Sequence, residues 1–162
     1  MEHNPYAAPQ ASAGSTNGDE RLSPPLWNPG AAAAWSLLFG PMFGAFVHMK
    51  NWQALRRPDK AASSRRWFIA NLLLLIVSLA LAFLVPPSGA IGAFNFFGGI
   101  GFLLAWYFFS AREQMRFIAM AYDKHYQRRG WGTPLLYAVL AITGLGIVAG
   151  MANSLIAAAR LG

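Results

Sequence analysis

The stretch WFIANLLLLIVSLALAFLV, residues 67–85, runs for nineteen positions without a charged side chain. As a helix rising about 1.5 Å per residue it reaches about 28 Å, the thickness of a bilayer's hydrocarbon core. A helix on a water-soluble protein keeps a polar face, and this stretch is apolar almost all the way round. Arg65-Arg66 hold its start at the level of lipid phosphates, and Pro86-Pro87 stop it. It reads as a transmembrane helix, and the rest of the chain is placed relative to it.

The composition agrees. Of the 162 residues, 56% are hydrophobic and only 12% charged, too few charges to cover a soluble surface. There is no cysteine, which excludes disulfides, thiolate metal sites and a Cys nucleophile. The net charge of +7 would suit either nucleic acid or a membrane surface. Eleven of the thirteen Lys and Arg lie between Lys50 and Arg129 and flank apolar runs, the pattern of topology determinants and anionic-lipid contacts. The expected partner is therefore the lipid bilayer, with its anionic lipids, and not nucleic acid.

Residues 1–27, rich in Pro, Ala, Ser and Gly, read as a disordered tail. They lack the basic start and apolar core of a secretory signal. Residues 28–162 read as one transmembrane helical domain with apolar segments at about 31–49, 67–85, 90–110 and 135–159. The first contains Gly40-Pro41, which must kink or break a helix. Two forms are open: a single kinked crossing, the favoured one, or a re-entrant hairpin of two half-helices. Residues 111–129 carry Met115, Ile118, Tyr122 and Tyr126 at helical spacing among basic residues. They read as a basic amphipathic extension of the third helix or a separate interfacial helix, ended by Gly130. The fold class is thus an all-α membrane protein, a small multi-pass bundle.

Charge sets the orientation. The loops at 50–66 and 111–134 are basic, and the turn at 86–89 has no charge. The positive-inside rule puts both basic loops in the cytoplasm and the C-terminal end outside. The tail is outside if the first segment crosses and cytoplasmic if it is re-entrant. Arg56, Arg57, Lys60, Arg65, Arg66, Arg112, Arg116, Lys124, Arg128 and Arg129 are the expected headgroup contacts. Trp52, Trp67 and Trp131 are the expected interface anchors.

Small residues recur at four-residue intervals as candidate packing faces. They are Ala32, Ser36, Gly40 and Gly44 in the first segment, Gly101 and Ala105 in the third, and Gly146, Gly150, Ser154 and Ala158 in the fourth. Such faces serve packing within the bundle, a homo-oligomer, or a membrane-protein partner. No Asp, Glu, Lys or Arg lies inside any segment, which argues against a proton-coupled carrier. Asn71 and Asn153 read as interhelical glue. His3, His48 and His125 show no metal-ligand spacing, and His48 reads as interfacial filler. No catalytic motif is present, so neither catalytic residue nor cofactor nor metal is expected.

Certain spacings carry a resemblance. Trp27-x-Pro29, Gly40-Pro41 with Phe43-Gly44-Ala45, Asn51-Trp52-x-x-Leu55, and Tyr126-x-Arg128-x-Gly130-Trp131-x-x-Pro134-Leu135 resemble a group of small proteobacterial inner-membrane proteins without assigned activity. The resemblance implies a bacterial inner membrane and says nothing of chemistry. The expected function is a non-enzymatic integral membrane protein working through helix association and basic cytoplasmic loops. The alternatives are an oligomeric small-solute channel or, more weakly, a lipid-handling protein.

Overall fold

A computed structural model describes residues 24–85, 88–122 and 126–159. The expected disordered stretch up to residue 23, the Pro86-Pro87 stop, and Lys124 and His125 lie outside these. Six α-helices follow in order: α1 Pro29–Phe39, α2 Pro41–Ala54, α3 Pro58–Leu84, α4 Gly89–Trp106, α5 Arg112–Tyr122 and α6 Gly132–Ala159. A π-helical turn, Tyr107–Ala111, joins α4 to α5 without a break. Three helical stretches are long and apolar enough to cross a bilayer: Pro58–Leu84, Gly89–Tyr122 and Gly132–Leu155. The protein is an all-α multi-pass membrane protein.

The first segment is where the favoured reading fails. It is not a kinked crossing but a hairpin. Gly40 sits at φ 80°, ψ 163°, a backbone conformation that suits glycine, and Pro41 starts α2 without an N–H to donate. The eleven residues of α1 reach only about 16 Å, too short to span. The arms close because their facing residues are small. Ala32 and Ser36 of α1 are buried, and a Cβ on Gly44 would overlap Ser36 Oγ and the Trp106 ring. Asn28 caps α1 through bonds from Gly30 N (2.9 Å) and Ala31 N (3.2 Å).

The chain then turns through Leu55–Arg57, so the basic stretch 50–66 is mostly helical, with residues from Pro58 on forming the helical lead into the second span that a proline at a first helical position predicts. Pro58 opens α3, whose first turns carry Lys60, Arg65 and Arg66. Here α2 lies antiparallel to α3, burying Ala61 and Ser64 and setting Phe46 against Phe68 at 6.3 Å. The apolar run of α3 begins at Trp67. That register puts the Gly40 end of the hairpin in the hydrocarbon layer, where Leu37 and Leu38 are exposed, and His48 to Ala54 at headgroup level.

Two further boundaries differ from expectation. Leu26, assigned by composition to the tail, is fully buried and clipped to a distant strand-like stretch. Its N–H donates to Gln127 O (2.9 Å), and its carbonyl accepts from Arg129 N (2.8 Å). Tyr126 to Gly130 are accordingly not helical, so Gly130 does not cap α5. The backbone bonds to Leu26, and the Trp27 Nε1–H donating to Gly130 O (2.9 Å), take the place of helical ones here.

All burial sits at this one end. Three small clusters form there, around Leu26, Ile118 and Tyr126, around Ala32, Phe43 and Val47, and around Ala45, Trp106 and Ala111. α6 joins through Leu135 and Ala138, with Trp131 just before its start. Beyond that base the three long helices expose apolar side chains almost throughout.

Since the chain lacks cysteine, single introduced ones report topology. Ser12→Cys and Arg56→Cys should react with an impermeant maleimide from the same side, and Leu161→Cys from the other. A crossing first segment would instead pair Ser12→Cys with Leu161→Cys. Gly44→Ala gains about 1 kcal/mol of helix propensity but overpacks a closed contact. We expect a net loss of about 1–2 kcal/mol, read as a lower unfolding midpoint in detergent.

Candidate functional site

Within the base, polar side chains converge where the hairpin's open end meets α5. His48 and Asn51 lie three apart on α2 and share its inward face. Gln114 joins them from α5, and the π turn explains how. A regular helix counted from Trp106 would turn Glu113 inward two turns later; the π turn adds one residue and turns Gln114 inward instead. Glu113 is left on the surface, where it pairs with Lys60.

The hydrogen bonds form a continuous chain. Asn51 treats the backbone of Trp27 as a strand would: Trp27 N–H donates to Asn51 Oδ1 (3.0 Å) and Asn51 Nδ2 donates to Trp27 O (2.8 Å). Asn51 Nδ2 also donates to Gln114 Oε1 (3.2 Å), and Gln114 Nε2 donates to His48 O (2.9 Å). His48 Nε2 lies 3.2 Å from Pro29 O. A carbonyl only accepts, so Nε2 carries the proton and Nδ1 is left as acceptor. The segment before α1, the start of α1, α2 and α5 are all stitched by this cluster. Leaving any one of these buried groups unpaired costs about 1–3 kcal/mol.

The imidazole of His48 is fully buried and packs edge-on against Trp106, with centroids 5.4 Å apart. Burial, only partly offset by the bond to Pro29, pushes its pKa from 6.5 down to about 4. It is therefore neutral at physiological pH. His48 Nδ1, Trp106 Nε1 and Ser64 Oγ are buried with no hydrogen-bond partner among the described residues. Among those residues, no group of three or more His, Cys, Asp or Glu could hold a metal.

A basic surface surrounds the cluster. Five cations lie over aromatic rings: Lys50 over Phe46 (5.6 Å), Arg57 over Phe117 (5.1 Å), Arg112 over Phe108 (5.3 Å), Arg128 over Tyr126 (5.8 Å) and Arg129 over Trp27 (4.7 Å). Arg56, Arg65, Arg66 and Arg116 make no ion pair or ring contact among the described residues.

The residues singled out from the sequence distribute unevenly. Ala32, Ser36 and Gly44 meet between the hairpin arms, and Ser36 Oγ donates to Ala32 O (2.8 Å). Gly40 makes the turn instead of a packing face. Gly101, Gly146 and Gly150 have no described atom other than their own helix backbone within 4 Å of where a Cβ would stand. Ala105 is half-buried; Ser154 and Ala158 are exposed. Trp67 and Trp131 are half-buried, Trp67 edge-on to Phe102 at 5.4 Å. Trp52 is only 3% exposed and packs on Phe117, facing the protein interior and not lipid.

His48, expected to be interfacial filler, is a fully enclosed member of this cluster, and Gln114 is a member that the sequence reading does not pick out. A hint was present: His48 and Asn51 share a face with the small-residue stripe, and Gln114 interrupts an apolar row. Periodicity alone cannot show that a π turn aligns that row with α2.

The pH dependence follows from His48. Its folded pKa lies below its ordinary value, so the unfolded chain takes up the proton first as pH falls. Stability is full above about pH 6.5 and declines toward pH 4. The loss between pH 7.5 and 5 should be about 2 kcal/mol, seen in unfolding midpoints, and His48→Gln should flatten it. No protein-family model, curated protein or solved structure matches this chain, so the reading of the site stands on its geometry.

Proposed function

We propose that this is a non-enzymatic integral protein of a bacterial inner membrane. It acts through helix association within the bilayer and through a basic end held against the cytoplasmic leaflet. The observation that carries the reading is α6. Past Ala138 its described side chains are exposed except Ala149 and Ala152, which are half-buried, and Gly146, Gly150 and Ser154 form a bare stripe with Asn153 exposed beside it. Lipid supplies no hydrophobic drive between helices, so close backbone approach and interhelical hydrogen bonds decide association there. An amide carried bare into hydrocarbon is costly, and a facing helix relieves that cost.

The basic end supports the orientation. Hairpin ends, the α2–α3 turn and residues 126–131 all meet there, bringing most of the cations to one side. With the first segment re-entrant, three crossings put residues 1–27 in the cytoplasm and the far end of α6 outside. The resemblance in residues 27–135 supports a bacterial inner membrane. A second reading, a small-solute channel completed by several copies, is favoured by one observation: Asn95, Thr143 and Asn153 are all exposed on the long helices.

Cross-linking tests the association. In native membranes Ser154→Cys should give a disulfide-linked species, while Val148→Cys, on the opposite side of α6, should not. Gly150→Leu should reduce the Ser154→Cys product at least tenfold. Equal cross-linking at both positions, or none at either, would refute association through this face. Solute flux into liposomes that Gly150→Leu abolishes would select the channel.

A further inference from the structure

Arg66, one of four described cations without an intramolecular partner, lines a shallow, open groove on the surface of α3 together with Ser63, Trp67 and Ala70. We propose that this groove seats the phosphodiester of one anionic phospholipid. The proposal deepens the contact between the basic end and the cytoplasmic leaflet, and it rests on that reading.

Ser63, Arg66, Trp67 and Ala70 fall at i, i+3, i+4 and i+7, so they share one face. The buried face of α3, Ala61 and Ser64, lies on the other side against α2. The groove therefore looks out of the protein. Its depth is right for a headgroup: Arg66 is the last charge before the apolar run, and Trp67 is the first residue of that run.

Each residue has a distinct part. The Arg66 guanidinium is planar and offers paired N–H donors to a phosphate. The Ser63 hydroxyl, one turn toward the aqueous side, adds a donor. Trp67 is held edge-on by Phe102 at 5.4 Å and forms a fixed wall at the glycerol level. Ala70, one turn deeper, is small and lets an acyl chain lie against the helix. The surrounding positive charge favours a lipid of net negative charge over a zwitterionic one. Arg65 is the built-in control. It has the same depth, charge and exposure, but stands about 100° round the helix and outside the groove.

The test is native mass spectrometry of the full-length protein in detergent, titrated with dioleoylphosphatidylglycerol or dioleoylphosphatidylcholine. The wild type should retain one phosphatidylglycerol in preference to phosphatidylcholine. Arg66→Gln should weaken that retention about tenfold and Ser63→Ala about threefold. Arg65→Gln should stay within about twofold of the wild type. Equal losses for Arg65→Gln and Arg66→Gln would overturn the site while leaving a general preference for anionic lipid. Equal retention of both lipids by the wild type would overturn the leaflet contact itself. Displacement of the lipid by millimolar inorganic phosphate would show a free-anion site and overturn the lipid assignment.

Discussion

The structure depends on the reversal at Gly40 and on the hydrogen bonds that hold it shut. Two half-helices that end inside hydrocarbon are stable only if their far ends are fixed. Asn51 does this by bonding both the N–H and the C=O of Trp27, and Gln114 locks the same amide to α5. His48 closes the chain by tying α2 back to the first carbonyl of α1. These groups are enclosed, so each bond is strengthened by low dielectric and each loss would leave a costly orphan. With the hairpin fixed, α3 has a surface to pack on, and the register of α4 and α5 follows from the π turn.

The result is a protein of two characters. From headgroup level down toward the Gly40 turn there is a packed base with aromatic rings and buried amides, rimmed by cations of which five lie over rings. Within the bilayer there are separate apolar helices with little contact between them. Water would not tolerate the second part, because its exposed Leu, Ile, Val and Phe side chains would drive collapse. Lipid tolerates it, because hydrocarbon solvates those side chains as well as a neighbouring helix would. Specific association in the bilayer is thereby left to the few positions where a backbone is bare or an amide lacks a partner.

The cations on aromatic rings connect the two characters. Guanidinium and ammonium groups over Phe, Tyr and Trp keep their charge at the surface while their stems cover apolar area. Arg129 over Trp27 also covers the point where the N-terminal stretch is clipped to residues 126–130. The basic end is thus part of the fold's closure as well as its charged surface.

The sequence alone determined the medium, the helical class and the spans at α3, α4 and α6. A run of nineteen uncharged apolar residues has few other uses, and Pro58 and Asn28 mark helix starts through local chemistry that needs no tertiary partner. The hairpin, the burial of Trp52 and His48, and the place of Gln114 were decided only by the tertiary structure. Gly40-Pro41 permits either a kink or a reversal, and the choice falls to contacts between residues far apart in the chain, Trp27 with Asn51 and Gln114 with His48. The second of those contacts depends on one extra residue in a π turn, which shifts a helical face without leaving a periodic trace.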